Sequence, residues 1–368
     1  MTDKVVATPL SLQPPASLRN IATALILGVA GGALFDWLSL PLPWMLGAMA
    51  ATSIAAIGGV SLAMSRHLRH LMIAVIGVLL GSAFTPELAG QIVRWTASLT
   101  ILAIFLILLA VLVPWFLRHV GYDRATAFFS ALPAGLTEMT AVGSDNGGNP
   151  QTIALTHTVR VLIVAFAIPF LLVVLAGYER PASDERMALV AISNMDLGLL
   201  AACCFIGLWL GLKFNFPAGA LAGPLALSAL VHVTGLTESS PPDMLVSTAQ
   251  VVLGTSVGVR FAGLTLAKTG RTILLAAAVT AGMLILSGMG ALLLGPAIGV
   301  NPLALLLALA PGGVTEMSLI ALALDQDIAF VTTHHVVRIA LIVMIGPAVF
   351  AALERIRTGS PPTTETRE

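Results

Sequence analysis

Long apolar stretches alternate with short polar ones along the chain, and the polar interruptions mark where helices begin and end. In the first half, apolar runs predict helices over 21–38, 44–60, 71–84, 95–117 and 152–177, and a basic connection (Arg66, His67, Arg69, His70) precedes the third. The runs 161–178 and 273–301 carry no charge, and at 1.5 Å per residue such stretches cross, or nearly cross, about 30 Å of hydrocarbon. The segment 125–145 reads differently. It starts apolar and is then interrupted by Pro133, Gly135, Thr137 and Glu138. Non-helical backbone at membrane depth is tolerated only against protein or a wet cavity, so a re-entrant or broken helix is expected there. After a short charged connector the pattern restarts, with crossings expected at 197–212 and 216–233.

The restart is nearly literal. Leu132 to Thr140 reads LPAGLTEMT and is followed by His157 and Arg160. Ala310 to Ser318 reads APGGVTEMS and is followed by His335 and Arg338. Pro133, Gly135, Thr137, Glu138, His157 and Arg160 meet Pro311, Gly313, Thr315, Glu316, His335 and Arg338 at an offset of 178 residues. Gly77 and Gly81 meet Gly254 and Gly258 at 177, and Pro41–Gly47 resembles Pro217–Gly223 at 176. A near-constant offset predicts an internal repeat. The expected layout is a polar N-terminal tail at 1–18, membrane repeats at 19–178 and 188–353, a connector at 179–187, and a polar C-terminal tail at 354–368.

Composition places this pattern in a membrane: 57 % of residues are hydrophobic and 10 % charged, far from the balance of a soluble domain. With the N-terminus in the cytoplasm and five crossings plus one broken segment per half, ten crossings in all, Arg66, Arg69, Arg118 and Arg260 are among thirteen Lys/Arg that fall inside, against Arg94, Arg180 and Arg186 outside. The fold expected is all-α and polytopic, an inverted repeat in the bacterial inner membrane with both termini cytoplasmic. The first eighteen residues lack the apolar core and cleavage site of a signal peptide, so the N-terminus is read as retained. Zero formal charge gives no sign of a nucleic-acid partner. Adjacent Cys203 and Cys204 read as small buried hydrophobes.

Glu138 and Glu316 carry the candidate chemistry, because an ionised carboxylate in hydrocarbon needs a cavity, a partner or a proton. Each either lines a ligand site or ties a broken segment to its neighbour, and Thr137 and Thr315 are candidates for the same cavity. Arg160 and Arg338 are expected to pair with the glutamates, within or between the halves, or to stand as fixed cations for an anionic ligand. His157 and His335, one helical turn before the arginines, are candidates for a proton step or for plain hydrogen bonding. Pro41, Pro133, Gly135, Pro217, Gly219, Pro311 and Gly313 are expected to break or bend the backbone. No HExxH or cysteine pair suggests a metal, and no cofactor is expected. The acidic Asp325 and Asp327 stand where the first half has Gly147 and Asn149, and read as entrance-shaping residues or a solvated loop.

The paired Pro-x-Gly-x-Thr-Glu-Met motifs with their His-x-x-Arg partners resemble the bacterial AbrB-type membrane family over about 21–353. Its members are labelled ammonia monooxygenases or regulators and regarded as transporters. The similarly named soluble, swapped-hairpin DNA-binding family is a different matter. From residues and resemblance together, the expected function is a secondary transporter or permease for an unidentified small solute. It would alternate between two inverted halves, with proton coupling as an option, and would not be an enzyme. The rivals are a membrane sensor or scaffold with an indirect regulatory role, and an intramembrane enzyme. Expected partners are the lipid bilayer, the solute and, as an option, a second copy in a homodimer.

Overall fold

The computed structural model describes residues 17–90, 92–176, 192–263 and 266–358. The tail expected at 1–18, apart from its last two residues, lies outside the described residues, as do the connector 179–187 and positions 359–368 of the C-terminal tail.

Among the described residues the regular structure is entirely helical. The first part comprises α1 (Leu18–Trp37), α2 (Pro43–Ile57), α3 (Arg66–Gly81), α4 (Thr96–His119), α5 (Arg124–Ala131), α6 (Leu136–Asp145) and α7 (Pro150–Ala176). The second comprises α8 (Asn194–Lys213), α9 (Gly219–Val233), α10 (Asp243–Gly258), α11 (Leu266–Leu294), α12 (Pro302–Leu309), α13 (Val314–Ala323) and α14 (Ile328–Thr358). Polar side chains start many of them. Ser17, Ser65, Asp123, Ser193 and Asn301 each accept a hydrogen bond from a first-turn amide that the helix itself leaves unpaired.

Seven of these helices are long and apolar enough to cross a membrane: α1, α4, α7, α8, α10 with its short extension to Phe261, α11 and α14. The helices α2, α9 and α13 are apolar but shorter. On α4 a stripe of Ile104, Ile107, Val111 and Trp115 stands exposed, the surface that lipid covers and water would not. The chain is an all-α, membrane-embedded protein.

The expected basic connection before the third helix is instead its first turn. Ser65 caps Leu68, so the helix begins at Arg66 and carries Arg66 and Arg69 on one face. Pro217 and Gly219 do not interrupt a helix either. The chain enters α2 and α9 through left-handed residues, Leu42 (φ 46°) and Ala218 (φ 53°), and Gly219 is the first residue of α9. Asn149 and Asp327, in the loops that differ between the halves, hold the amides of Thr152 and Phe330 at the starts of α7 and α14. Asp327 is thus a helix cap, rather than a loop residue shaping an entrance.

The packing crosses over between the two parts. While α1 lies on α2 and α8 on α9, α3 lies on α9, and α10 on α2 and α3. Small residues permit it: a Cβ on Gly254 would lie 2.2 Å from the Met45 carbonyl oxygen, and one on Gly77 would lie 2.8 Å from that of Leu221. Left-handed residues recur in pairs. Ser39 and Asn215, Leu42 and Ala218, Gly59 and Gly235, Gly121 and Gly299, and Gly147 and Asp325 are each separated by 176 or 178 positions; among the described residues only Gly263 stands apart.

Candidate functional site

Two helices are interrupted where the sequence carries proline and glycine. Between α5 and α6, Leu132 is extended (φ −71°, ψ 122°) ahead of Pro133, and Gly135 caps α6. Between α12 and α13, Ala310 (φ −55°, ψ 136°) precedes Pro311, and Gly313 caps α13. Each break leaves the last carbonyls of the first short helix without their intrahelical partners.

The buried His and Arg of the following long helix fill that vacancy. His157 Nε2 lies 2.9 Å from the Phe129 carbonyl oxygen, and Arg160 Nη1 donates to the Leu132 carbonyl at 3.3 Å. His335 Nε2 lies 2.8 Å from the Leu307 carbonyl oxygen, while Arg338 donates to Ala310 at 2.7 Å and to Gly312 at 2.5 Å. A guanidinium at a helix C-terminus also complements the helix dipole.

The expected Glu–Arg ion pairs do not form. Among the described residues neither Arg160 nor Arg338 has a carboxylate within 4.0 Å, in its own half or the other. Arg160 Nη2 instead donates to His157 Nδ1 at 2.7 Å. A guanidinium can only donate and a carbonyl can only accept, so His157 carries its single proton on Nε2. A second proton, on Nδ1, would set two donors face to face. His157 is therefore a hydrogen-bonding strut. His334, which has Thr156 at its matching position, spans Phe330 and Ser98 at 2.7 and 2.9 Å.

The glutamates sit on the other side of each break, in the first turns of α6 and α13. Each carboxylate folds back over its cap glycine: a Cβ on Gly135 would lie 2.0 Å from Glu138 Oε2, and one on Gly313 would lie 2.0 Å from Glu316 Oε2. Position and orientation suit a carboxylate at a helix N-terminus. Thr315 Oγ1 donates to Glu316 Oε2 at 2.8 Å. Both carboxylates lie within electrostatic reach of one residue, Arg69 on α3.

Arg69 belongs to a cavity of about 320 Å³ at the junction of α3, α6, α7 and α10. Arg66, Arg69 and Arg260 enter its wall with Thr137, Gln151 and Thr158, and the wall contains no carboxylate. Of the residues singled out from sequence, Thr137 lines it; Glu138 and Glu316 lie within electrostatic reach of its Arg69; His157, Arg160, His335 and Arg338 brace the breaks; Pro41, Pro217 and Gly219 are not part of its wall. In the sequence, Arg66, Arg69 and Arg260 stand out only as charges that fix orientation. The available signal was Ser65, a helix cap three residues before Leu68. Among the described residues, no group of three or more His, Cys, Asp and Glu side chains is arranged to hold a metal.

Residues 44–354 match the family described as "Transition state regulatory protein AbrB". The chain is 24 % identical over 320 residues to a protein of Escherichia coli (strain K12) provisionally named regulator AbrB, covering 84 % of this chain and 89 % of that one. It is 25 % identical over 354 residues to the uncharacterized protein YhjN of Bacillus subtilis (strain 168), covering 90 % and 92 %. These findings correct the expected resemblance in the labels attached to it. The match carries a regulatory description, with neither ammonia monooxygenase nor transporter in it, and homology to the AbrB-named relative is distant. The all-helical described residues also differ from the swapped-hairpin β fold associated with the name. The transport reading is overturned with the labels: the relationship is to regulatory proteins, and the regulatory alternative is the better supported.

Proposed function

The chain belongs to the family of transition state regulatory protein AbrB, and from that premise we propose that it is a membrane-embedded sensor with an indirect regulatory role. The family is a regulatory one, and the chain is not an enzyme. The observation that carries the proposal is the extent of the match: residues 44–354 run from α2 to α14, so the regulatory relationship belongs to the helical membrane body itself. A bundle whose outer surface bears Ile104, Ile107 and Trp115 is suited to lipid and ill suited to a DNA groove. Regulation then passes through a signal, or through a partner at the membrane face, without direct contact with nucleic acid.

The finer architecture goes with this reading. A repeat of residues 19–178 in 188–353 is supported by the paired left-handed residues and by the matching Arg160–Leu132 and Arg338–Ala310 contacts, and with five crossings in each the two halves would be inverted. Such halves meet with their broken helices near the bilayer centre. The Lys/Arg distribution favours both termini in the cytoplasm, a bacterial inner membrane belongs to the same reading, and homodimerisation is compatible with the exposed apolar surface. Glu138 and Glu316, with Thr137 and Thr315, form the responsive centre. Their position at helix starts makes small changes of charge felt in the first turns of α6 and α13.

The test is genetic. Deletion in the native host should change a defined set of transcripts, and the wild-type chain should restore it. Glu138→Gln and Glu316→Gln chains at equal membrane abundance should not. Unchanged transcripts on deletion, or full restoration by both variants, would overturn the proposal.

A further inference from the structure

The cavity between α3 and α10 has the composition of a receptor. Arg66 and Arg69 project from the first turns of α3, and Arg260 arrives from the 3₁₀ turn that ends α10. Among the described residues, Arg69 and Arg260 make no hydrogen bond and no ion pair within 4.0 Å, and they lie close enough to repel one another. Cations so gathered against a wall without carboxylates call for an anion. Glu138 and Glu316 offset part of the charge from outside the wall: three guanidinium groups against two carboxylates leave one positive charge over.

The fold does not require these cations. At the 177-residue offset that relates Gly77 to Gly254, Arg66 and Arg69 correspond to Asp243 and Val246, and Arg260 corresponds to Ala83. The matching helices pack through the same glycines without them. The arginines are therefore an addition at one end of the crossing. Apolar Met64, Leu155 and Val259 line the remainder beside the hydroxyls of Thr137 and Thr158. A volume of about 320 Å³ lies in the range of small-molecule sites.

We infer that this cavity binds a small organic anion carrying a carboxylate or phosphate group, held by Arg69 and Arg260 with Arg66 at its rim. A guanidinium fork matches either oxyanion through paired hydrogen bonds. Occupancy brings negative charge to the start of α6, beside Glu138, so the same cavity is the input of the sensor. That last step rests on the regulatory reading; the binding site does not.

The test uses the full chain in phosphatidylcholine nanodiscs, titrated calorimetrically with inorganic phosphate, succinate and citrate. At least one probe should bind saturably, and its affinity should fall tenfold or more in both Arg69→Gln and Arg260→Gln while Arg94→Gln binds as wild type. Arg260→Lys, which keeps the charge and loses the fork, should weaken binding by a smaller factor and serves if Arg260→Gln does not fold. No saturable binding by the wild type, or unchanged affinity in the folded arginine variants, would overturn the inference. Repeating the titration with phosphatidylglycerol in the disc separates the sources. Loss of probe binding there identifies a lipid headgroup, retention identifies a free anion, and either supports the oxyanion chemistry. Binding lost in Arg260→Gln with regulated transcripts unchanged would sink the cavity's role as input and leave the site standing, whereas unchanged transcripts on deletion would sink the regulatory reading itself.

Discussion

Arg338 and Ala310 are joined across 28 residues of chain, guanidinium Nη1 to carbonyl oxygen at 2.7 Å, and Arg160 reaches Leu132 across the same 28 at 3.3 Å. Both contacts satisfy a carbonyl released where a proline stops a helix. The buried arginine on each long helix is thus part of the short helix before it. Hydrogen bonds from a charged donor contribute about 1.5–3 kcal/mol each. Arg338 holds two carbonyls, Ala310 and Gly312, where Arg160 holds one and a histidine. Arg338→Leu should therefore lower stability by about 3 kcal/mol or more and Arg160→Leu by less. Thermal unfolding in detergent, followed by size-exclusion retention, gives the ranking; equal stability of Arg338→Leu and wild type would refute the pinning role.

The crossing of α10 with α2 depends on the absence of a side chain. Gly254→Ala would put a methyl group 2.2 Å from the Met45 carbonyl oxygen. Backbone cannot step aside as a flexible side chain does, so the loss should be about 1–3 kcal/mol. Gly282→Ala on α11 is the counter-test: its Cβ meets nothing within 4 Å, and alanine should be neutral or stabilising by up to about 1 kcal/mol. Melting midpoints of the two variants should move in opposite directions, or only the first should move.

Ala218 begins α9 from a left-handed conformation, φ 53°, that costs an L-residue about 1 kcal/mol. Ala218→Gly should relieve that strain and raise the unfolding midpoint. A lowered midpoint would mean that the alanine methyl packs for more than the backbone loses.

The glutamate and its cap glycine share one space. Gly135→Ala should displace the Glu138 carboxylate without changing charge, at a backbone conformation (φ −60°, ψ 135°) that alanine accepts. A double-mutant cycle with Glu138→Ala reads the coupling between them. The cost of Gly135→Ala should shrink once the glutamate is gone, whereas strict additivity would place the carboxylate elsewhere.

Part of this arrangement is legible in the chain alone. The breaks were legible because Pro133 and Pro311 cannot continue a helix, and Glu138 and Glu316 were legible as the only acids in apolar surroundings with a second copy. The partner of Arg160 was not. Residue letters display carboxylates but not the carbonyls that a break sets free, so the expected ion pair gave way to Leu132 and Ala310. Arg69 was misread for a related reason: its polar neighbours Arg66, His67 and His70 hide the start of α3, and only Ser65 marks it. Membrane embedding followed from composition, whereas the move from transport to regulation came from the family match, which no residue pattern within the chain contains.

On the proposed reading, the cavity arginines and the two glutamates beside the breaks set a regulatory output, whereas Arg160 and Arg338 hold the fold. The direct measurement replaces the native copy with Arg260→Gln or Arg338→Gln and reads membrane abundance and transcripts in the same cells. Arg260→Gln should keep wild-type abundance and reproduce the transcript changes of a deletion, while Arg338→Gln should lose abundance. Arg260→Gln at full abundance with a wild-type transcript profile would rule out a regulatory role for the cavity charges.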